Sequence, residues 1–259
     1  MESLVEFITV VRNDRDGLKR TIESLDIAYK KYNFPSNVTH LIIDGDSEDG
    51  CVEYVQGLLA TRKFKTRLIS EPDDGIYDAM NKGATASKAG AVVFLNAGDL
   101  LAGDADLNQL VADANAMLAE ESIMAVAYSA RLKFSARSIL IKSREVSKYS
   151  PKLPTIHQSI LYNCAILLAN PYDTSYRICG DYEQFARVFS RGANVVIRGM
   201  VLSVFFSGGI SSQMPKTLYK ESVRVSDKYF NLSMWRSFIL RVRLIRSLII
   251  FNILNLAFN

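Results

Sequence analysis

The sequence predicts an α/β fold: a single Rossmann-like domain with a mainly parallel central sheet, followed by C-terminal helices. Three observations carry that reading. Over the first hundred residues, short apolar runs alternate with segments of helical spacing, the pattern of βαβ units whose strands are buried on both faces. The first four apolar runs each end in polar or acidic residues, where ligands sit in such sheets. The composition is that of an ordinary globular chain: 259 residues, 49% hydrophobic and 22% charged, which is enough for a large core and excludes a disordered or collagen-like protein.

Taken in order, residues 4–11 form a first apolar strand, and 14–31 a helix with Leu18, Ile22, Leu25 and Ile27 as its apolar positions. A strand over 38–43, a helix near 49–59, a strand over 67–70, a helix over 75–87 and a strand over 91–95 complete the regular half. The strand ends read Arg12-Asn13-Asp14, Asp44-Gly45-Asp46, Glu71-Pro72-Asp73-Asp74 and Asn96-Ala97-Gly98-Asp99. The second half is less regular. A helix over 105–118, a strand pair at 123–129 and 138–141, and a loop over 143–155 are expected there. They are followed by a helix over 181–190, one or two strands over 194–206 interrupted at Gly199, a loop over 207–212 and a helix over 216–230.

Several chemistries are excluded. Gly45 and Gly50 have phosphate-loop spacing, but Cys51-Val52 stands where Lys-Ser/Thr is needed, and the intervening acids repel a triphosphate. Asp44, Asp46 and Glu48 alternate like calcium ligands, yet Asp49 occupies the glycine position and Val55 the closing glutamate position. Neither a G-x-S-x-G elbow nor a strand-linked G-x-G-x-x-G is present. Three cysteines without a C-x-x-C pair and two distant histidines offer neither a disulfide framework nor a zinc site. The net charge is +4, but Lys228, Arg236, Arg241, Arg243 and Arg246 carry five positive charges in a stretch without acids. The rest of the chain holds 26 basic against 27 acidic residues, so no nucleic-acid partner is expected.

Asp44 at a strand end can accept a hydrogen bond from a base imide or ribose hydroxyls; capping by Asp46, Ser47 or Asp49 is the plainer use of that loop. Asp99 can hold a divalent cation against a diphosphate, or close a turn. Asp181, opening a helix, can cap it or act as a general base.

The segments Ile8–Asn13, Ile43–Gly50, Asn96-Ala97-Gly98-Asp99 and Gly180-Asp181-Tyr182 resemble family 2 glycosyltransferases of the GT-A fold. The most specific stretch, Ser70-Glu71-Pro72-Asp73-Asp74-Gly75-Ile76-Tyr77-Asp78-Ala79-Met80-Asn81-Lys82-Gly83, is similar to the bacterial polysaccharide branch typified by colanic acid biosynthesis enzymes. His157-Gln158 and Gly208-Gly209-Ile210-Ser211 also fit that branch. The resemblance implies inverting transfer of a sugar from a nucleotide-sugar donor, with a UDP or GDP carrier, to a hydroxyl of a lipid-linked saccharide acceptor. By position it implies that Thr9, Val11, Arg12, Asn13 and Asp44 hold base and ribose. Asp74, Gly75, Asn81 and Lys82 would shape the donor pocket. Asn96 and Gly98 would bind the nucleotide-sugar, Asp99 would hold Mn²⁺ or Mg²⁺ as the last acid of the metal region, and Asp181 would be the base. Asn96 and Gly98 stand where that motif commonly carries acids. His157 and Gln158 are expected to contact phosphate or acceptor.

The competing readings are a sugar-nucleotide nucleotidyltransferase, which needs a Gly/Lys-rich loop after the first strand, and a non-catalytic nucleotide- or lipid-binding module. Residues 1–212 are expected to form the transferase domain and 213–259 a helical tail. In that tail Arg236, Arg241, Arg243 and Arg246 interleave with apolar residues, and 247–258 is almost wholly apolar but shorter than the roughly 20 residues a span needs. With acids near the N-terminus where a secretory signal carries positive charge, the expectation is a cytoplasmic protein, peripheral on the inner face of the cell membrane.

Overall fold

A computed structural model describes residues 3–33, 36–134, 137–147, 152–206 and 214–230, together with Ile239 and Val242. Strand β1 (Ser3–Val11) leads through Asp14 into α1 (Arg15–Lys31); the Asp14 carboxylate accepts the Gly17 N–H at 2.9 Å and caps the helix. The βα alternation continues with β2 (Val38–Asp44), α2 (Cys51–Leu59), β3 (Thr66–Ser70), α3 (Ile76–Ala86) and β4 (Ala89–Phe94). All four strands are parallel, in the order β3-β2-β1-β4, so their carboxyl ends share one rim.

The second half comprises β5 (Leu100–Leu101), α4 (Leu107–Ala119), β6 (Ile123–Phe134), β7 (Arg137–Ile141), β8 (Ile160–Asn163), α5 (Cys164–Ala169), α6 (Gly180–Phe189), β9 (Asn194–Phe206) and α7 (Pro215–Tyr229). A single 3₁₀ turn, His157–Ser159, precedes β8. β8 inserts antiparallel between β4 and β6, and β9 runs parallel to β6 and antiparallel to β5.

Alternation along β1 distributes the core to both faces. Val5 and Phe7 join a cluster with Leu25, Ala28 and Tyr29 of α1 and Leu110, Ala114 and Met117 of α4. Ile8 and Val10 join the opposite cluster with Tyr77, Met80 and Ala84 of α3, Leu167 of α5 and Phe185 of α6. β2 is buried at every position, as a strand covered on both faces must be.

Four expectations change. Ile27 is 67% exposed, because two residues past Leu25 turns it some 200° away from the buried stripe of Leu18, Ile22 and Leu25. The 194–206 segment is one strand, and the interruption at Gly199 is a bulge: Ile197 pairs Ala127 and Val201 pairs Ser129. β5, β8 and α5 have no counterpart in the sequence reading, being too short or too evenly apolar to carry a period. Finally, the Thr9 side chain faces the interior, fully buried, with Oγ1 2.9 Å from His40 Nε2. Burial pushes the His40 imidazole well below its usual pKa, reinforced by the Arg62 guanidinium.

Candidate active site

The site assembles along the carboxyl rim, starting from interlocked loops after β1 and β2. Asn13 and Asp46 both adopt positive φ, 51° and 61°, which short polar side chains tolerate best. The Asn13 N–H donates to Ser47 Oγ at 2.8 Å, Glu48 N–H to Asn13 Oδ1 at 2.9 Å, and Arg15 N–H to Asp49 Oδ2 at 2.8 Å. Asn13, Ser47 and Asp49 side chains therefore satisfy backbone donors across the gap. Gly50, at the cap position of α2, offers no side chain for capping.

Asp44 is fully buried at the end of β2. Its Oδ2 accepts from Ser47 N at 3.0 Å and Ser70 Oγ at 2.8 Å, whereas Oδ1 is buried without a hydrogen-bond partner. An orphaned carboxylate oxygen is costly, and a ligand's N–H or O–H is the natural remedy. Alongside, Asp73 packs so closely on Gly45 that a Cβ there would come within 2.0 Å of Asp73 Oδ2. Arg12, largely exposed, pairs with Asp73 at 3.7 Å.

Other expected donor contacts are engaged elsewhere. Val11 packs among Leu18, Ile22, Ile42, Cys51 and Val55, and its carbonyl accepts Gly45 N–H. The Asn81 amide pairs with both backbone groups of Tyr172, donating at 2.9 Å and accepting at 2.8 Å. Lys82 donates to the Pro72 carbonyl and bridges Glu71 at 3.3 Å and Asp78 at 3.2 Å. Asp74, exposed, donates its N–H to Asp78, and Gly75 donates its own to Asp73 Oδ1.

The loop after β4 is held by a residue the sequence did not single out. Thr21, on the buried face of α1, donates through Oγ1 to the Asp99 carbonyl at 2.7 Å and accepts the Gly98 N–H at 3.0 Å. Gly98 sits at φ 91°, which only glycine adopts without strain, so the turn rather than charge selects it. Asp99 Oδ2 accepts from Gln158 Nε2 at 2.8 Å. Burial raises the Asp99 carboxyl to about 6, opposed by the Gln158 hydrogen bond and the nearby His157.

The 3₁₀ turn before β8 then joins this loop to α6. Asn96 Nδ2 lies 3.1 Å from His157 Nε2, and His157 Nδ1 lies 3.3 Å from Asp181 Oδ2. Asp181 Oδ1 accepts the Tyr182 N–H at 2.8 Å and the Tyr77 hydroxyl at 3.2 Å. Tyr77, inside the quoted 70–83 stretch but without an expected role, also reaches the Ile178 carbonyl at 2.5 Å. The sequence-selected Asn96, Asp99, His157, Gln158 and Asp181 thus form one connected cluster, while Thr9, Val11, Asn81 and Lys82 lie on structural contacts. The Gly208-Gly209-Ile210-Ser211 segment and the tail beyond Phe230, apart from Ile239 and Val242, fall outside the described residues. Among the described residues no helix is long and apolar enough to cross a membrane.

Among the described residues no three His, Cys, Asp or Glu side chains converge as a metal cage. The donor set is Asp99 with the buried, unpartnered Asn96 Oδ1, two hard oxygens that fit a Mg²⁺ or Mn²⁺ ion completed by donor phosphates and water.

A mixed α/β sheet with its polar cluster on the parallel carboxyl rim is the GT-A architecture, and solved structures bear this out. S. aureus TarS 1–349 in complex with UDP-GlcNAc superposes with TM-score 0.66 at 14% identity, over 90% of this chain and 69% of that one. The mannosyltransferase PcManGT from Pyrobaculum calidifontis, in complex with GDP-Man and Mn²⁺, gives 0.64 at 14% identity, over 90% and 66%. Residues 6–155 match Glycosyl transferase family 2, and the chain belongs to that family. An uncharacterized glycosyltransferase of Mycobacterium tuberculosis is 26% identical over 238 residues, covering 86% of this chain and 83% of its own length. A PGL/p-HBAD biosynthesis glycosyltransferase of Mycobacterium bovis is 26% identical over 175 residues, covering 66% and 67%.

Proposed function

We propose that the protein is an inverting glycosyltransferase that uses a UDP-sugar and glycosylates a hydroxyl of a lipid-linked saccharide at the cytoplasmic membrane face during surface polysaccharide synthesis. The observation that carries the chemistry is the Asn96–His157–Asp181 bridge, which ties a carboxylate to the loop that would face the donor diphosphate. Asp181 Oδ2 takes the proton of the acceptor hydroxyl as its oxygen bonds to the anomeric carbon. The bond from that carbon to the diphosphate oxygen breaks on the opposite face, and the nucleoside diphosphate leaves with the electron pair. His157 orients Asp181, and Gln158 orients Asp99. Asp99 and Asn96 Oδ1 would hold Mg²⁺ or Mn²⁺, whose charge stabilises the departing diphosphate.

Asp44 favours uridine over guanosine. With Oδ2 already filled, only Oδ1 remains to accept, which suits the single imide N–H of uracil better than the paired N–H groups of guanine. The solved relatives have been captured with either carrier, UDP-GlcNAc in one case and GDP-Man in the other. The basic and apolar sequence of 235–258 supports the membrane-face acceptor. The test is a panel of UDP- and GDP-sugars, following nucleoside diphosphate release with and without Mn²⁺. Release of UDP is expected; absence of release from every donor, with crude lipid-linked acceptor present, would favour a non-catalytic binding module.

A further inference from the structure

Helix α6 carries Asp181 in its first turn, yet the residue at its cap position, Cys179, supplies no side-chain cap. Within the helix the Tyr182 N–H is taken by Asp181 Oδ1, and the backbone leading into it finds its acceptor on another helix. Glu221 of α7 accepts three consecutive backbone N–H groups: Arg177 on Oε1, and Ile178 and Cys179 on Oε2, each at 2.9 Å. Charge-assisted bonds of this kind are about twice as strong as neutral ones. They fix the segment whose Ile178 carbonyl accepts the Tyr77 hydroxyl, itself in contact with Asp181 Oδ1. The docking is built along one face of α7. Ser222 Oγ lies 3.4 Å from Cys179 Sγ, Ser226 Oγ lies 3.0 Å from the Tyr182 hydroxyl, and Val225 and Phe230 pack with Tyr182 and Ala186.

We infer that Glu221 is a positioning residue for the catalytic base: by capping the approach to α6 from outside, it fixes the Tyr77–Ile178 contact and leaves Asp181 Oδ2 facing His157. This rests on Asp181 being the base. A second consequence is that α7, beyond the 6–155 family match, belongs to the catalytic unit.

Having only two histidines makes the test direct. The ¹⁵Nδ1 signal of His157 reports the Asp181 contact at one fixed pH, and fully buried His40 serves as the internal control. Asp181→Asn should move the His157 signal. Glu221→Ala should move it in the same direction, Glu221→Gln by less because it keeps one carbonyl acceptor, and the double variant should match Asp181→Asn alone. With the UDP-sugar turned over best in the panel, Glu221→Ala should lower kcat about tenfold, the scale of a small misplacement, with KM little changed. Should Glu221→Ala fail to fold, Glu221→Gln carries the same comparison. An unmoved His157 signal in a folded Glu221 variant overturns the positioning role, as does a Glu221 effect that persists undiminished on top of Asp181→Asn. Full turnover in Asp181→Asn removes the base itself, and the proposal with it.

Discussion

The two halves of the site are built differently. On the proposed donor side, Asn13, Asp44, Ser47 and Asp49 interlock between adjacent parallel strands, and the contacts follow from the βα alternation itself. Around the proposed base, Asn96, His157, Asp181 and Glu221 come from four elements that adjoin only with β8 inserted between β4 and β6 and α7 packed on α6. The first half is a set of local solutions repeated at neighbouring strand ends. The second is one long-range assembly, in which losing a single member is expected to disturb the others.

The comparison is broken most sharply at Asp181. Asp181→Asn should lower turnover by at least roughly 10²-fold while UDP binding, measured by calorimetry, stays near wild type. Equal losses in binding and turnover would show that the two halves are not separable.

Asp99 sits where they meet. Its pKa of about 6 against an ordinary 3.8 means that the folded state binds the proton more tightly than the unfolded chain. Its contribution to stability is therefore present at low pH and lost as pH rises from about 4 to 6, amounting to at most about 3 kcal/mol. Asp99→Asn should match wild type near pH 4 and be the more stable protein at pH 7 in urea unfolding. Mn²⁺ should raise the Tm of wild type and not of the variant. A stability gap independent of pH would remove burial as the cause.

Asp44→Asn tests the donor side alone. With its oxygen kept by Ser47 and Ser70, the amide would place an NH₂ at the Oδ1 position, opposing the uracil imide and favouring the N3 acceptor of cytosine. UDP affinity should fall by about 1.5–3 kcal/mol, the worth of a hydrogen bond to a charged group, and CDP affinity should rise. Unchanged UDP binding would place the base elsewhere.

The smallest effect is expected at Ile27. Ile27→Lys should change stability by no more than about 0.5 kcal/mol, against about 2–5 kcal/mol for Leu25→Ala two positions away. A large effect at Ile27 would mean that this face of α1 is covered in solution.

The sequence by itself determined the βαβ half and the four carboxyl ends, and it singled out Asp44, buried at a strand end, and Asp99, His157, Gln158 and Asp181, which the fold joins in one cluster. Those features are written in short-range periodicity and in residue types that a strand end or turn demands. It misled at Ile27 and Thr9, where one residue's facing is a matter of phase rather than composition. Thr21 left a faint signal, a polar residue within the apolar stripe of α1. Glu221 left none, because nothing local distinguishes a glutamate on an amphipathic helix from a solvated one. Only the tertiary structure decided that the four-residue β8 lies between β4 and β6 and that α7 docks on the start of α6. Such pairings join residues far apart in the chain, and no window of neighbouring residues contains that information.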